Sequence, residues 1–165
     1  MRKETKEPLT KEKCQKDLKA LARANCRSHL IFLIAFSIFF GPLAFLSIYF
    51  LIDVVPVLSI ISFAVFATPI VIFIYNTGKS LIELRMAVRG KFSVIEDDVS
   101  QMEEEIGPNR STVKVLYFCR YGGYVVNESV FEYTSVGDTF YLLIYNTKNS
   151  KTKMAFNTKL YEWKE

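Results

Sequence analysis

The chain has 165 residues, half of them hydrophobic and 15% aromatic, with a formal net charge of +4. A run of 46 residues, Leu30 to Tyr75, holds one charged side chain, Asp53. This excludes both a disordered chain and an ordinary soluble one.

The charge is unevenly placed. Residues 1–29 carry nine Lys/Arg against four Asp/Glu, or +5, while residues 76–165 carry twelve of each. The C-terminal part lacks the basic face that nucleic acid requires, so no nucleic-acid partner is expected. Cys14, Cys26 and Cys119 are far apart with no CxxC spacing, and His29 is the one histidine. Neither a disulfide framework nor a zinc site is expected.

The basic arm spans residues 1–29. Residues 1–9 are charged, contain Pro8 and are expected to be disordered. From Thr10 to Arg27, Cys14, Leu18, Leu21 and Ala22 recur at helical spacing among Lys11, Lys13, Lys16, Lys19, Arg23 and Arg27. The pattern predicts a short basic amphipathic helix, either touching anionic lipid or merely orienting the span that follows. The apolar run exceeds a signal-peptide core and no cleavage site follows it.

As one helix, Leu30–Tyr75 would measure about 69 Å, over twice the ~30 Å bilayer core. It must fold back, and Asp53 marks the place. The reading is a membrane α-helical hairpin with spans at 30–52 and 54–75. His29 sits at the wet entrance of the first span. Pro42 and Pro69 are expected to kink the helices. Gly41, Ala44 and Ser47 on the first span, and Ser59, Ser62, Ala64 and Thr68 on the second, are small or hydroxyl-bearing positions suited to close packing. Asp53 is expected to cap the second helix, with Pro56 in its first turn. Lys and Arg flank both outer ends and are absent from the turn. By the positive-inside rule this multi-pass protein of the cell inner membrane has cytoplasmic N- and C-termini.

Residues 76–90 continue as a helical stalk ending at Gly90, a natural C-cap. From Lys91 the period becomes strand-like, and 91–165 read as a cytoplasmic β-domain. Five strands are predicted: Phe92–Val99, Thr112–Arg120, Tyr124–Tyr133, Phe140–Tyr145 and Lys153–Trp163. The whole is a small all-β domain, a five-stranded antiparallel SH3-like or OB-like barrel, because closure hides strand edges. The fourth strand is preceded by a turn at Val136-Gly137-Asp138, and the fifth by one at Thr147–Ser150. Gln101–Asn109 reads as an acidic loop. Glu96, Asp97, Asp98, Glu103, Glu104 and Glu105 lack calcium-loop spacing and read as solvated. Cys119 reads as a small core residue. Asn109-Arg110-Ser111 and Asn127-Glu128-Ser129 fit the glycosylation pattern, which has no meaning on a cytoplasmic domain.

The second strand points Leu116 and Phe118 to one face and Val115, Tyr117 and Cys119 to the other. The fourth points Phe140, Leu142 and Ile144 one way and Tyr141, Leu143 and Tyr145 the other. Two apolar faces exceed the need of one small core. Tyr117, Tyr121, Tyr124, Tyr141 and Tyr145 are therefore the candidate partner-binding residues, with Tyr133 and Tyr161 nearby. No catalytic set, phosphate loop or cofactor motif is found, and no enzyme is expected.

The stretches GKFSVIEDDV, LYFCRYGGY, VGDTFYLLIYN and FNTKLYEW resemble a loose group of small bacterial membrane proteins, Firmicutes-like in flavour. The resemblance implies a two-helix hairpin followed by a cytoplasmic β-domain and carries no activity. The expected function is a non-enzymatic membrane protein whose β-module binds a protein partner or a sister copy. The alternatives are a homo-oligomeric channel gated by that module and a membrane-bound sensor holding a small ligand. Beyond the lipid bilayer and that partner, no cofactor or metal is expected.

Overall fold

A computed structural model describes residues 6–51, 53, 55–107, 110–146 and 151–164. The expected span ends at Ile52 and Val54, the Thr147–Ser150 turn and Asn109 lie outside them. In chain order the elements are β1 (Glu7–Thr10), α1 (Lys11–Leu51), α2 (Pro56–Val88), β2 (Phe92–Ile106), β3 (Thr112–Phe118), β4 (Gly122–Val126), α3 (Glu128–Glu132), β5 (Thr139–Tyr145), β6 (Thr152–Asn157) and β7 (Tyr161–Lys164). Two compact units result. One joins the first 18 residues to 86–165, and the other is 19–85.

The second unit is a hairpin of two long apolar helices. Phe32 and Phe36 meet Phe73, Phe40 meets Phe66, and the Ser59 hydroxyl donates to the Ser47 carbonyl at 2.9 Å. As the α1 number rises the α2 number falls, which is antiparallel packing. Ala44, Ser47 and Ser59 are buried along this seam, because small residues let the backbones approach. Ala64 and Thr68 do not join it. Both are exposed, and the Thr68 hydroxyl bonds back to the Ala64 carbonyl of its own helix. The capping role expected of Asp53 falls instead to Val55, whose carbonyl accepts the first helical bond from Ser59, with Pro56 at the first helical position. His29 is not simply wet: its Nδ1 is buried without a partner among the described residues.

Four differences from the predicted elements concern the β unit. The arm is not a loose tail, because Glu7–Thr10 forms β1, which runs parallel to β7 with Leu9 fully buried. Gln101–Ile106 is not a loop, because it prolongs β2 and pairs with β3 from Ile106↔Thr112 to Gln101↔Tyr117. Its carboxylates are tolerated because Glu104 pairs with Lys114 and Glu105 accepts from the Tyr117 hydroxyl. The third strand ends at Val126, where Asn127 accepts the Val130 N–H at 2.9 Å and caps α3. The fifth strand breaks at a turn after Asn157 into β6 and β7.

The five-stranded sheet runs β4-β3-β2-β5-β6, with antiparallel neighbours. Three hairpin-linked strands, and a fourth returning beside the first, make a Greek key. The long β2 serves two partners, β5 along Phe92–Asp98 and β3 beyond it. A bulge between Val99 and Gln101 switches the alternation, so that Val99 and Met102 both face the core. The sheet curls until its edges approach: the Tyr124 hydroxyl on β4 donates to the Lys153 carbonyl on β6 at 3.4 Å. The core is Val99, Leu116, Phe118, Phe140 and Leu142, consistent with the alternation.

Asp97 also faces inward and is buried, not solvated. It accepts the N–H groups of Arg120 and Asp98 at 2.8 and 3.1 Å and lies 3.5 Å from the Arg120 guanidinium. A buried carboxylate with these donors is compensated. Cys119 is exposed in the turn after β3 rather than in the core.

Candidate functional site

The outer face of the sheet has two halves with different fates. Register places Phe92 opposite Tyr145, Val94 opposite Leu143 and Glu96 opposite Tyr141, all on this face. Leu143 and Tyr145 are nonetheless buried, at 0% and 4% exposure. The cover comes from the chain's own ends. Trp163 on β7 meets Tyr141 at 6.5 Å, and Tyr161 meets Phe156 of β6 at 5.2 Å. The Lys13 ammonium lies 5.3 Å over the Tyr161 ring. The β1–β7 pair therefore roofs this half and forms a second apolar layer.

The roof leaves a cleft of about 450 Å³ lined by Lys11, Phe92, Val94, Glu96, Tyr141 and Trp163. Phe92 is buried and forms its floor, while Tyr141 and Trp163 are half-buried. Their rings are tilted by 45° and make two walls of a corner. Glu96 and Lys11 are exposed and carry opposite charges into the same cleft. The size suits a small molecule or a few side chains.

The five candidate tyrosines are dispersed. Tyr141 lines the cleft. Tyr145 is buried, with the Lys153 ammonium 5.7 Å over its ring. Tyr121 and Tyr124 pack on the core, and burial raises the Tyr124 hydroxyl above its ordinary pKa. Tyr117 lies on the other half of the outer face. Its hydroxyl donates to Glu105, and its ring carbon would lie 3.1 Å from a Cβ at Gly123. The Glu105 hydrogen bond is also what raises the Tyr117 pKa. No single tyrosine surface unites the five. Tyr133, outside that set, is the most exposed, at 78%.

Sequence reading missed Trp163, Phe92, Val94, Glu96 and Lys11 as neighbours. The available signal was the alternation of Tyr161 and Trp163 at the end of the chain, read as one strand continuous with β6. A second groove, near 500 Å³, is lined by Glu104, Lys114, Asn127 and Glu128 among others. It is occupied by internal pairing: Lys114 binds Glu104, lies 3.9 Å from Glu128 and stands 5.1 Å over the Phe131 ring. Among the described residues no group of three or more His, Cys, Asp or Glu is placed to hold a metal ion.

Set against known families, curated proteins and solved structures, the chain matches none.

Proposed function

We propose that this is a non-enzymatic integral membrane protein of the cell inner membrane whose cytoplasmic β-module binds its partner at the Tyr141–Trp163 cleft. The membrane reading draws on α1 and α2, which are long and apolar enough to span a bilayer. In their most apolar stretches 11% and 6% of residues are buried within the molecule, whereas a soluble core helix buries its apolar face. Exposed Arg23 and Arg27 on one flank and Lys79, Arg85 and Arg89 on the other favour cytoplasmic termini. Of the two barrel types expected, the OB-like one is favoured by the Greek-key order, the partly open edge and a first strand shared by two neighbours.

The observation that carries the binding function is the cleft. It is a concave, aromatic-walled surface between a sheet and the chain's own ends, with two charged groups at its rim. Binding there bears on Lys11, the first residue of α1, and so on the helix that enters the membrane.

The test is gentle extraction of the full chain into lipid discs, followed by native mass spectrometry. A protein partner, a second copy and a small molecule each register as a distinct added mass. The expected result is one bound species at fixed stoichiometry, lost on Tyr141→Ser and kept on Tyr133→Ser. A bound species indifferent to Tyr141→Ser removes the cleft from the reading.

A further inference from the structure

We infer that the cleft takes a small zwitterion, a molecule with an ammonium group and an anionic group a few bonds apart. This rests on the cleft being a binding site and adds the chemistry of what fills it.

Three aromatic residues line one space, Phe92, Tyr141 and Trp163, the last two with rings 6.5 Å apart. Aromatic faces carry negative potential and hold ammonium groups, quaternary ones above all. Glu96 stands directly across the strand pair from Tyr141 and adds a formal negative charge beside those rings. Lys11 adds a positive charge to the same lining. Opposite charges lining one cleft commonly pair. Yet among the described residues neither the Glu96 carboxylate nor the Lys11 ammonium forms an ion pair, although Lys13 pairs with Glu7 and Lys159 with Asp138 nearby. A purely cationic ligand would meet the Lys11 charge, and a purely anionic one the Glu96 charge. A zwitterion satisfies both, with its ammonium on the Glu96 and aromatic side and its anionic group toward Lys11.

Trp163 is the one tryptophan of the chain, so its fluorescence reads this cleft alone. The full chain is placed in discs of phosphatidylglycerol, whose headgroup is anionic, and titrated with glycine betaine, tetramethylammonium and acetate. Betaine should give a saturable change with a dissociation constant on the order of 1 mM, as befits so small a ligand. Tetramethylammonium should bind more weakly, and acetate not measurably. Glu96→Gln should weaken betaine and tetramethylammonium alike, by roughly 3- to 10-fold. Lys11→Gln should weaken betaine by a similar factor, roughly 3-fold or more, and tighten tetramethylammonium, which no longer meets a like charge. Both side chains are exposed, so the variants keep the fold, which far-UV circular dichroism checks.

No saturable response to betaine in folded protein overturns the inference, as do charge variants that bind like the parent. A response to phosphatidylethanolamine in the discs with none to betaine assigns the site to a lipid headgroup and overturns the free-solute reading. A partner lost on Tyr141→Ser in the mass-spectrometric test, without a betaine response, leaves the cleft a binding site and removes the zwitterion from it.

Discussion

The Gln15 side chain donates to the carbonyl of Val88 at 2.9 Å and to that of Ala87 at 3.2 Å. One residue of α1 thereby reaches the Val88 carbonyl at the end of α2 and gives the Ala87 carbonyl a second donor. The chain around Gly90 completes the cap. Gly90 N–H donates to Ala87 and Lys91 N–H to Met86, a Schellman pattern. Gln15→Ala should lower the stability of the β unit by roughly 1–2 kcal/mol, the net worth of two hydrogen bonds. Urea unfolding followed by Trp163 fluorescence reads it, and an unchanged midpoint would remove the Gln15 bridge from this account.

Gly90 has φ +63°, the left-handed region. Gly90→Ala should destabilise by about 1 kcal/mol, since a Cβ is strained there. Gly41 is the control. It lies within α1, and a Cβ there meets nothing within 4 Å. Gly41→Ala should be neutral or stabilising, by up to about 1 kcal/mol. Equal effects at the two sites would contradict the assignment of the cap.

Leu9 is fully buried in a segment whose composition reads as disordered. Leu9→Ala should cost about 2–4 kcal/mol, within the range for buried large-to-small changes. Leu160→Ala, at a residue 55% exposed, should cost under about 0.5 kcal/mol. Thermal unfolding of the two variants side by side decides it. A silent Leu9→Ala would mean that the arm does not belong to the unit.

The miss at the arm has a physical cause. Six charged or polar residues out of the first nine hide one leucine, and a two-stranded parallel pair has no local signal. Its partner, Tyr161–Lys164, lies over 150 residues away in the chain. By contrast, the inward set Leu116, Phe118, Phe140 and Leu142 was legible, because alternation is a local property of each strand. The candidate site was legible only at Tyr141. Its neighbours reach it from β2, β7 and the start of α1.

Ser59 links the two helices through the Ser47 carbonyl. Ser59→Ala should weaken the hairpin by about 0.6 kcal/mol, the average for such bonds between membrane helices. Thr68→Ala, whose hydroxyl bonds within its own helix, should have no effect on helix association. Unfolding in mixed micelles separates the two.

Asp138 accepts from the Lys159 ammonium at 2.7 Å and from the Ser135 N–H at 2.9 Å. The Lys159 hydrogen bond holds its carboxyl below the ordinary value of 3.8. A carboxyl depressed in the folded state contributes stability that is fully present above that ordinary value. The contribution is lost as pH falls through the folded value. Asp138→Asn should therefore lower stability at neutral pH and flatten its decline in acid. Unfolding midpoints measured from pH 7 downward should converge for parent and variant at the acid end.

The sequence by itself determined the helical hairpin, the turn near Asp53, the cap at Gly90, the strand-rich C-terminal region and most of its core. Each depends on periodicity, charge density or one residue's backbone preference, all set within a few neighbours. Only the tertiary structure decided that β2 serves two partners, that the chain's two ends pair as β1 and β7, and that these cover one half of the apolar outer face. Those outcomes depend on contacts between distant segments, where many pairings satisfy the same local pattern. The cleft beside Tyr141 exists because that cover is incomplete. Its charges meet its aromatic rings only where four distant stretches of chain converge.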